Sequence, residues 1–477
     1  MTLVDRFRAR VEAHPERIAI VDGTGRSVTY GALRRRIDEL AADWGDIRKG
    51  DRVVLAMPLG IDLFASLAAL WHRGATVVLP EPAMGLAGLR HAVRATSPKA
   101  YLSQGAVFWA LRYLLSELRG VGTHLTVPDR VEGSWPIHGA ETTEHTPALI
   151  SFTTGSTGKP KAIVRTHGFL AAQDAALGEL LSHRDGEGAD LVAFPVFVLA
   201  NLGAGRTSVL PCWKPGRTRG IDARAVAFLE THGVSRLLVP PGAIAPLVAQ
   251  KAPHGLAAVF TGGGPVLPGH LRALEGWAPK ADAWAVYGST EAEPIAHLSR
   301  ADISAADVEA MRGGRGLLAG RPLPGIDVRF EDDEILVAGD HVVRGYLDLA
   351  DAARTKVLHE GRVWHRTGDA GSLDGEGRLW LRGRHGAKAG DFYPFEVEVQ
   401  AREWPGVVDA ALARGERGEP ILALVGKEGP GDRWAARCAI LGVRITRLDR
   451  IPKDRRHGSK VDQAELERLA RKPCRRP

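Results

Sequence analysis

Between residues 52 and 79 the sequence alternates between strand-like and helix-like patterns. Residues 52–57 (Arg-Val-Val-Leu-Ala-Met) predict a buried strand, residues 61–71 carry apolar side chains at helical spacing, and residues 75–79 are apolar and β-branched. A strand, a helix and a second strand in this order predict a parallel sheet with helices packed on its faces. The alternation recurs as far as residue 276, so the fold class is predicted to be α/β with doubly wound lobes.

The pattern changes after about residue 315. Short strand-like runs separated by Gly/Asp turns predict a small β-rich subdomain there. The Gly-rich residues 384–391 show no clear periodicity and are predicted to be a linker. The predicted organisation is therefore an N-terminal domain of residues 1–383, a hinge of residues 384–391 and a mobile α+β C-terminal domain of residues 392–477.

Length and composition set the class of protein. At roughly 150 residues per domain, 477 residues allow several lobes, and 44% hydrophobic with 25% charged residues is typical of a soluble globular protein. Cys212, Cys438 and Cys474 have no short spacing, which argues against a zinc cluster or a disulfide framework and favours a reducing cytoplasm. No apolar stretch approaches the roughly 20 residues of a membrane span. The basic cluster at the C-terminus is short, so nucleic-acid binding is not expected.

The strongest functional signal is residues 151–161, Ser-Phe-Thr-Thr-Gly-Ser-Thr-Gly-Lys-Pro-Lys. Glycines let the backbone approach an anion, hydroxyls and amides donate hydrogen bonds, and lysines supply charge, so the segment predicts a phosphate-binding loop. It is not a Walker A loop, because the Gly-Lys-Ser/Thr ending is absent. The alternative is a solvated turn with incidental lysines, which suits a single Gly-Ser-Thr-Gly better than two hydroxyl–hydroxyl–glycine steps closed by Lys-Pro-Lys.

This loop resembles the phosphate-binding signature of the adenylate-forming superfamily, which includes acyl-CoA synthetases, peptide-synthetase adenylation domains and firefly luciferase. Further segments resemble that family's other motifs, in the same order. They are residues 261–265 (Thr-Gly-Gly-Gly-Pro), 286–291 (Val-Tyr-Gly-Ser-Thr-Glu), 364–369 (Trp-His-Arg-Thr-Gly-Asp), 383–384 (Gly-Arg) and 451–460 (Ile-Pro-Lys-Asp-Arg-Arg-His-Gly-Ser-Lys). The resemblance covers nearly the whole chain and implies ATP-dependent activation of a carboxylic acid as its acyl-adenylate.

The resemblance also implies a role for each matched residue. Lys460, Glu291 and Thr154 would be catalytic, with Glu291 holding Mg²⁺. Both reactants are anionic, so such a site must neutralise charge and align the carboxylate with the α-phosphorus. The residues implied to bind ATP are Thr153, Thr154, Gly155, Ser156, Thr157, Gly158, Lys161, Gly262, Gly263, Gly264, Tyr287, Gly288, Thr290, Asp369 and Arg384.

Each of these residues also has a structural alternative. Glu291 is compatible with a helix N-cap, and Asp369 with an ordinary turn. Lys460 is compatible with a solvated lysine before a helix, and Tyr287 with plain core. A non-catalytic nucleotide-binding relative is a further alternative, but its mark would be loss of Lys460 or Glu291, and both are present.

Residues 194–205 follow a predicted strand and resemble the family's segment that lines the acyl site. Phe197, Leu199 and Asn201 are therefore candidate wall residues, and an ordinary buried strand and turn is the alternative. An apolar wall favours a fatty or other hydrophobic acid. The segment has no acidic residue of the kind that holds an α-ammonium, which disfavours an amino acid substrate.

The acceptor of the acyl group stays open. Residues 383–398 are shorter than the usual family spacing by about one helical turn, which argues against transfer to a thiol of CoA or a carrier protein. Several segments, among them Phe194-Pro-Val-Phe, resemble the β-lactone synthetases of long-chain olefin biosynthesis, which adenylate a 3-hydroxy acid and let its own hydroxyl displace AMP. Such intramolecular attack needs only a folded substrate chain. A thiol ligase and an amide-forming ligase are the alternatives.

Overall fold

A computed structural model of the chain describes residues 2–81, 84–129, 139–154, 160–182, 188–214, 220–429, 433–453 and 460–471. Within these ranges the secondary structure follows the predicted alternation of strands and helices. The strands are β1 Ile18–Val21, β2 Ser27–Thr29, β3 Arg52–Ala56, β4 Thr76–Leu79, β5 Ala100–Ser103, β6 Thr123–Leu125, β7 Pro147–Thr154, β8 Pro160–Thr166, β9 Ala189–Val192, β10 Ser208–Val209, β11 Val234–Val239, β12 Ala258–Gly262, β13 Asp282–Ser289, β14 Ala292–Ser299, β15 Leu317–Pro322, β16 Asp327–Glu331, β17 Glu334–Ala338, β18 Lys356–His359, β19 Arg362–Leu373, β20 Leu379–Arg384, β21 Val407–Arg414, β22 Pro420–Gly426 and β23 Arg444–Arg447. The helices are α1 Leu3–Ala13, α2 Tyr30–Asp43, α3 Ile61–His72, α4 Gly85–Thr96, α5 Ala106–Leu114, α6 Ser116–Arg119, α7 His167–Leu181, α8 Pro195–Ala204, α9 Ala223–Thr231, α10 Ile244–Val248, α11 Pro268–Trp277, α12 Ala305–Arg312, α13 Leu349–Thr355, α14 Pro394–Ala401, α15 Trp434–Ile440 and α16 Gln463–Ala470.

The first lobe contains a sheet in the order β6-β5-β3-β4-β7-β8. Its neighbours are parallel except for the closing hairpin of β7 and β8. The inner strands β3 and β4 are buried on both faces, which is why their sequences are continuous apolar runs rather than alternating ones. The hairpin places Thr153 and Lys161, which flank the predicted phosphate loop in the sequence, at one edge of this sheet.

The second lobe contains parallel strands in the order β13-β12-β11-β9-β10-β1, with β2 antiparallel at the far edge. At the other side β13 turns into antiparallel β14, and the sheet continues through β15, β20, β19, β17 and β16. The β-rich subdomain expected after residue 315 is therefore present, but it extends the second sheet instead of forming a separate one.

The C-terminal region has its own three-stranded sheet, β21-β22-β23, and its own apolar cores. A short 3₁₀ turn, His385–Ala387, joins it to β20. At the boundary, Arg272 of α11 and Arg312 of α12 both pair with Glu403, at 2.6 and 3.5 Å. The domain boundaries drawn from the sequence remain a prediction.

The structure excludes one alternative that the sequence left open. Residues 195–204, for which a buried strand and turn was the alternative to an acyl-site segment, form helix α8. Pro195 occupies the first helical turn, where its fixed φ is favourable, and Gly205 ends the helix at φ +80°. Among the residues that the structure describes, no helix is long and apolar enough to cross a membrane.

Candidate active site

The hairpin of β7 and β8 carries the first group of predicted site residues. Thr153 lies directly opposite Lys161 in its register, and both side chains are nearly buried. The Lys161 side chain therefore lies beside Thr153 and is largely shielded from solvent. Gly155, Ser156, Thr157 and Gly158 lie outside the described residues, as does the side chain of Thr154.

The glycine segment after β12 lies alongside β13, at the carboxyl ends of parallel strands where α/β folds bind their ligands. Gly262 pairs with Val286, and a Cβ at this glycine would lie 2.6 Å from the Val286 carbonyl oxygen. Gly263 has φ +77°, and its Cβ would lie 3.2 Å from the ring of Phe194. Larger residues therefore do not fit at these two positions, and Gly264 follows them directly. Because Gly262 pairs with Val286, residues 262–264, called the glycine floor below, lie close to Tyr287.

Tyr287 and Asp369, which are 82 residues apart in sequence, meet at the edge of this floor. The Tyr287 hydroxyl donates to Asp369 Oδ2 at 2.8 Å, and Arg384 Nη1 donates to Asp369 Oδ1 at 3.2 Å. Burial and the neighbouring Asp369 raise the pKa of Tyr287 well above its usual value, so its hydroxyl remains a donor at neutral pH. The structure thus brings together three of the residues that the family motifs assign to the nucleoside.

Glu291 lies in the tight turn between β13 and β14, not at a helix N-cap. The Tyr346 hydroxyl donates to Glu291 Oε1 at 3.1 Å. Burial on its own raises the pKa of Glu291, but His365, the Tyr346 hydrogen bond and Lys356 hold that pKa below its usual value. Burial lowers the pKa of His365 to about 3 and that of Lys356 to about 7, so at pH 7 the imidazole is neutral and the lysine is only partly charged. We therefore attribute the ionised state of Glu291 first to the hydrogen bond from Tyr346.

A single ionised carboxylate is the donor set that Mg²⁺ uses at nucleotide sites. Mg²⁺ binds through one or two carboxylates and completes its shell with phosphate oxygens and water. No group of three or more His, Cys, Asp or Glu side chains in the described part of the chain forms a metal cluster of its own. Glu291 therefore fits a metal that arrives with a nucleotide.

Two neighbours of Glu291 are also fixed in place. The carbonyl oxygen of Thr290 accepts a hydrogen bond from Arg165 Nη2 at 2.7 Å. Gly288 has no room for a side chain, because its Cβ would lie 3.0 Å from a carbonyl oxygen.

An apolar cavity lies behind the glycine floor, and its empty space of about 350 Å³ includes a part that is open to solvent. Its walls come from α7, α8 and the strand ends, and they include Leu177, Leu181, Phe197, Phe260 and Val286. Two polar residues, Thr261 and Glu293, also line it. The buried Thr261 hydroxyl has no hydrogen-bond partner among the described residues.

Of the three wall residues expected from the sequence, the structure brings only Phe197 to this cavity. Leu199 lines a separate narrow crevice with Leu3. Asn201 lies in the core, 1% exposed, and its Nδ2 donates to Ser208 Oγ at 3.1 Å. A helix spreads residues 197, 199 and 201 around its circumference, whereas an extended segment would have placed them on one face.

Lys460 is exposed and lies on the C-terminal domain, directly after residues that are outside the described ranges. The adjacent Val461 forms a β-bridge with Lys453, whose ammonium pairs with Asp409 at 2.8 Å. Three further residues surround Glu291 that were not predicted as site residues: Tyr346, Lys356 and His365. His365 lies within the motif of residues 364–369, but Tyr346 and Lys356 stand in segments whose pattern gives no sign of a charged centre.

Residues 7–347 match the family of AMP-binding enzymes. Because the match spans well over half of the 477 residues, the chain belongs to this family of AMP-forming, acid-activating ligases. A similar protein is the olefin β-lactone synthetase of Stenotrophomonas maltophilia, 28% identical, with 92% of this chain and 90% of that one covered.

Two solved structures share the fold. The O-succinylbenzoate coenzyme A synthetase of Bacillus subtilis, in complex with ATP and a magnesium ion, has a TM-score of 0.79 at 20% identity and covers 97% of this chain and 99% of its own. The amide bond synthetase McbA of Marinactinospora thermotolerans has a TM-score of 0.82 at 21% identity, with 98% and 100% covered. The predicted fold class and family are confirmed.

The contacts of Asp369 lead to a quantitative expectation for nucleotide affinity. Replacing Asp369 with alanine removes the acceptor predicted to bind the ribose hydroxyls and releases Tyr287 and Arg384. Hydrogen bonds to charged groups contribute about 1.5–3 kcal/mol each, so we expect AMP to bind at least tenfold more weakly, as measured by calorimetric titration. Tyr287→Phe, which keeps the ring, should lose less. Equal AMP affinity for Asp369→Ala and wild type would exclude the ribose role.

Proposed function

We propose that the enzyme adenylates a hydrophobic 3-hydroxy acid and then closes it to a β-lactone with release of AMP. The observation that carries the choice of substrate is the cavity behind the glycine floor. Its wall is mostly apolar, yet it contains a buried Thr261 hydroxyl without a partner among the described residues. Buried hydroxyls are normally satisfied, so a substrate with one polar group on an apolar chain suits this wall better than a plain hydrocarbon.

In the adenylation step a carboxylate oxygen of the acid bonds to the α-phosphorus of ATP, and pyrophosphate leaves. Lys161 and the hydroxyls of the β7–β8 loop screen the phosphate charge. Bound through Glu291, Mg²⁺ would supply further charge neutralisation at the phosphates. Asp369, Arg384 and Tyr287 hold the nucleoside, and the C-terminal domain carries Lys460 to the reacting phosphate.

In the second step the 3-hydroxyl oxygen bonds to the carbonyl carbon, the bond from that carbon to the AMP oxygen breaks, and the hydroxyl proton passes to the phosphate of the departing AMP. No thiol takes part. Intramolecular attack gains from effective molarity when the site holds the acyl chain folded. The shortened segment between Gly383 and Glu398 supports this choice, as does the similarity to an olefin β-lactone synthetase over 92% of the chain.

Transfer of the acyl group to an amine or a thiol is the second candidate. The observation in its favour is that an amide bond synthetase and a coenzyme A synthetase share the fold over nearly the whole chain. Glu293 lies in the wall of the cavity proposed to hold the acyl chain, whereas residues 194–205 contain no acidic residue. An acid with an amino group therefore belongs in the substrate panel.

The test separates activation from transfer. Purified enzyme is given ATP, Mg²⁺ and matched pairs of acids with and without a 3-hydroxyl, together with amino acids, and ATP–pyrophosphate exchange is measured. AMP and product are then followed by mass spectrometry without an acceptor, with CoA and with an amine. We expect exchange with hydrophobic acids, and AMP release with lactone formation only for the 3-hydroxy acids. Turnover that requires CoA or an amine would refute the lactone step while leaving adenylation intact.

A further inference from the structure

Tyr346 connects the two charged parts of the predicted phosphate site. It is 6% exposed and forms a β-bridge with Ile163, two residues beyond Lys161 on β8. On the other side the Val343 amide donates to the Glu291 carbonyl oxygen at 2.8 Å. Residues 343–347 are thus fixed by backbone contacts to both the lysine strand and the glutamate turn.

The side chain of Tyr346 contacts three charged groups. Its hydroxyl donates to Glu291 Oε1 at 3.1 Å. The ammonium groups of Lys161 and Lys356 lie over its ring, 5.6 and 5.5 Å from the centroid. At such distances the negative face of an aromatic ring attracts a cation, more strongly when the cation is desolvated. One side chain therefore contacts a carboxylate and the amino groups of two lysines at once.

The two lysines beside the Tyr346 ring are held differently. Lys356 is anchored by a second contact, because its Nζ donates to the Val343 carbonyl oxygen. Lys161 has no such anchor among its described contacts, so the ring is the feature that limits where its ammonium lies.

We propose that Tyr346 is a positioning residue for the metal and triphosphate: its hydroxyl fixes the Glu291 carboxylate, and its ring fixes the Lys161 ammonium. The inference rests on the proposed function, in which Glu291 holds Mg²⁺ and Lys161 screens the phosphates. It predicts an effect that depends on the nucleotide. AMP lacks the β- and γ-phosphates and does not require the metal, so AMP binding does not depend on this arrangement.

The test uses Tyr346→Phe, which deletes only the hydroxyl, and Tyr346→Leu, which deletes the ring as well. Binding of ATP and of AMP is measured calorimetrically on the full-length protein without acid, across a series of Mg²⁺ concentrations. We expect Tyr346→Phe to need about tenfold more Mg²⁺ for tight ATP binding and to bind AMP like wild type. Tyr346→Leu should weaken ATP binding further, including at saturating Mg²⁺, because Lys161 then loses its restraint.

Tyr393 provides a matched control. Its hydroxyl donates to Asp333 at 3.3 Å, and Arg382 and Lys388 lie over its ring at 4.6 and 5.0 Å, but it stands at the start of the C-terminal domain. Tyr393→Phe should leave the Mg²⁺ dependence of ATP binding unchanged. Equal losses of ATP and AMP affinity in Tyr346→Phe, or no loss of either, would overturn the inference. If wild type bound ATP without any Mg²⁺ dependence, or Glu291→Gln matched wild type, the proposed metal site itself would fail instead.

Discussion

Replacing Lys460 with alanine is expected to reduce the rate of adenylation by about 10²–10³-fold, measured as ATP–pyrophosphate exchange. The physical reason is the charge that moves from the carboxylate and the α-phosphate to pyrophosphate as the reaction proceeds. A preorganised charge at that position is worth about 2.7–4 kcal/mol when one donor is removed. Lys460 belongs to the C-terminal domain, so the effect also reports that this domain reaches the cleft.

The lysine should act on the rate more than on nucleotide affinity, because the residues proposed to bind AMP, such as Asp369 and Tyr287, belong to the N-terminal domain. We therefore expect AMP affinity in calorimetry to stay within a factor of about two to three of wild type, less than one ordinary hydrogen bond is worth. Lys427→Ala is the matched control, since Lys427 is an exposed lysine of the same domain. Unchanged exchange in Lys460→Ala would remove the lysine from the mechanism. A parallel fall in Lys427→Ala would point to damage of the domain.

The order of strands and helices was predictable because the inner strands of parallel sheets are apolar on both faces. Strand β3 and helix α3 appear within one residue of their predicted ends. Helix α8, residues 195–204, was not predicted, although Pro195 and Gly205 are typical start and stop signals of a helix. The placement of Leu199 and Asn201 away from the cavity follows from that helix.

The site was predictable only as an ordered set of motifs. No sequence pattern indicates that Tyr287 and Asp369 are in contact, because that contact depends on β19 and β20 joining the sheet that contains β13. The charged surroundings of Glu291 were missed for the same reason. Tyr346 and Lys356 lie 55 and 65 residues beyond Glu291 in the sequence, and only the folded chain brings them close to this carboxylate.

The buried ion pair of Asp190 and Arg236 was also not apparent, because an arginine within an apolar run is usually an exposed strand residue. These two residues are neighbours on β9 and β11 and are 0% and 1% exposed. Arg236 Nε and Nη2 donate to Asp190 Oδ1 and Oδ2 at 2.8 and 2.7 Å. Arg206 Nη2 donates to Asp190 Oδ1 at 2.9 Å. Arg236 also donates to the carbonyl of Leu181, which lines the apolar cavity behind the glycine floor, so the pair supports the cavity wall.

Asp190→Ala is therefore expected to lower the free energy of unfolding by about 3–5 kcal/mol, because it leaves a buried guanidinium without its carboxylate. Denaturant unfolding followed by tryptophan fluorescence measures the loss, with Asp327→Ala as control. Asp327 forms an exposed pair with Arg362, and such surface pairs contribute about 0–1 kcal/mol. Removing both charges of the buried pair, by Asp190→Leu with Arg236→Met, should recover part of the loss, since an apolar replacement no longer strands a charge. A loss below about 1 kcal/mol for Asp190→Ala would mean that water reaches Arg236. The pair would then not be needed to hold Leu181 in the wall of the apolar cavity.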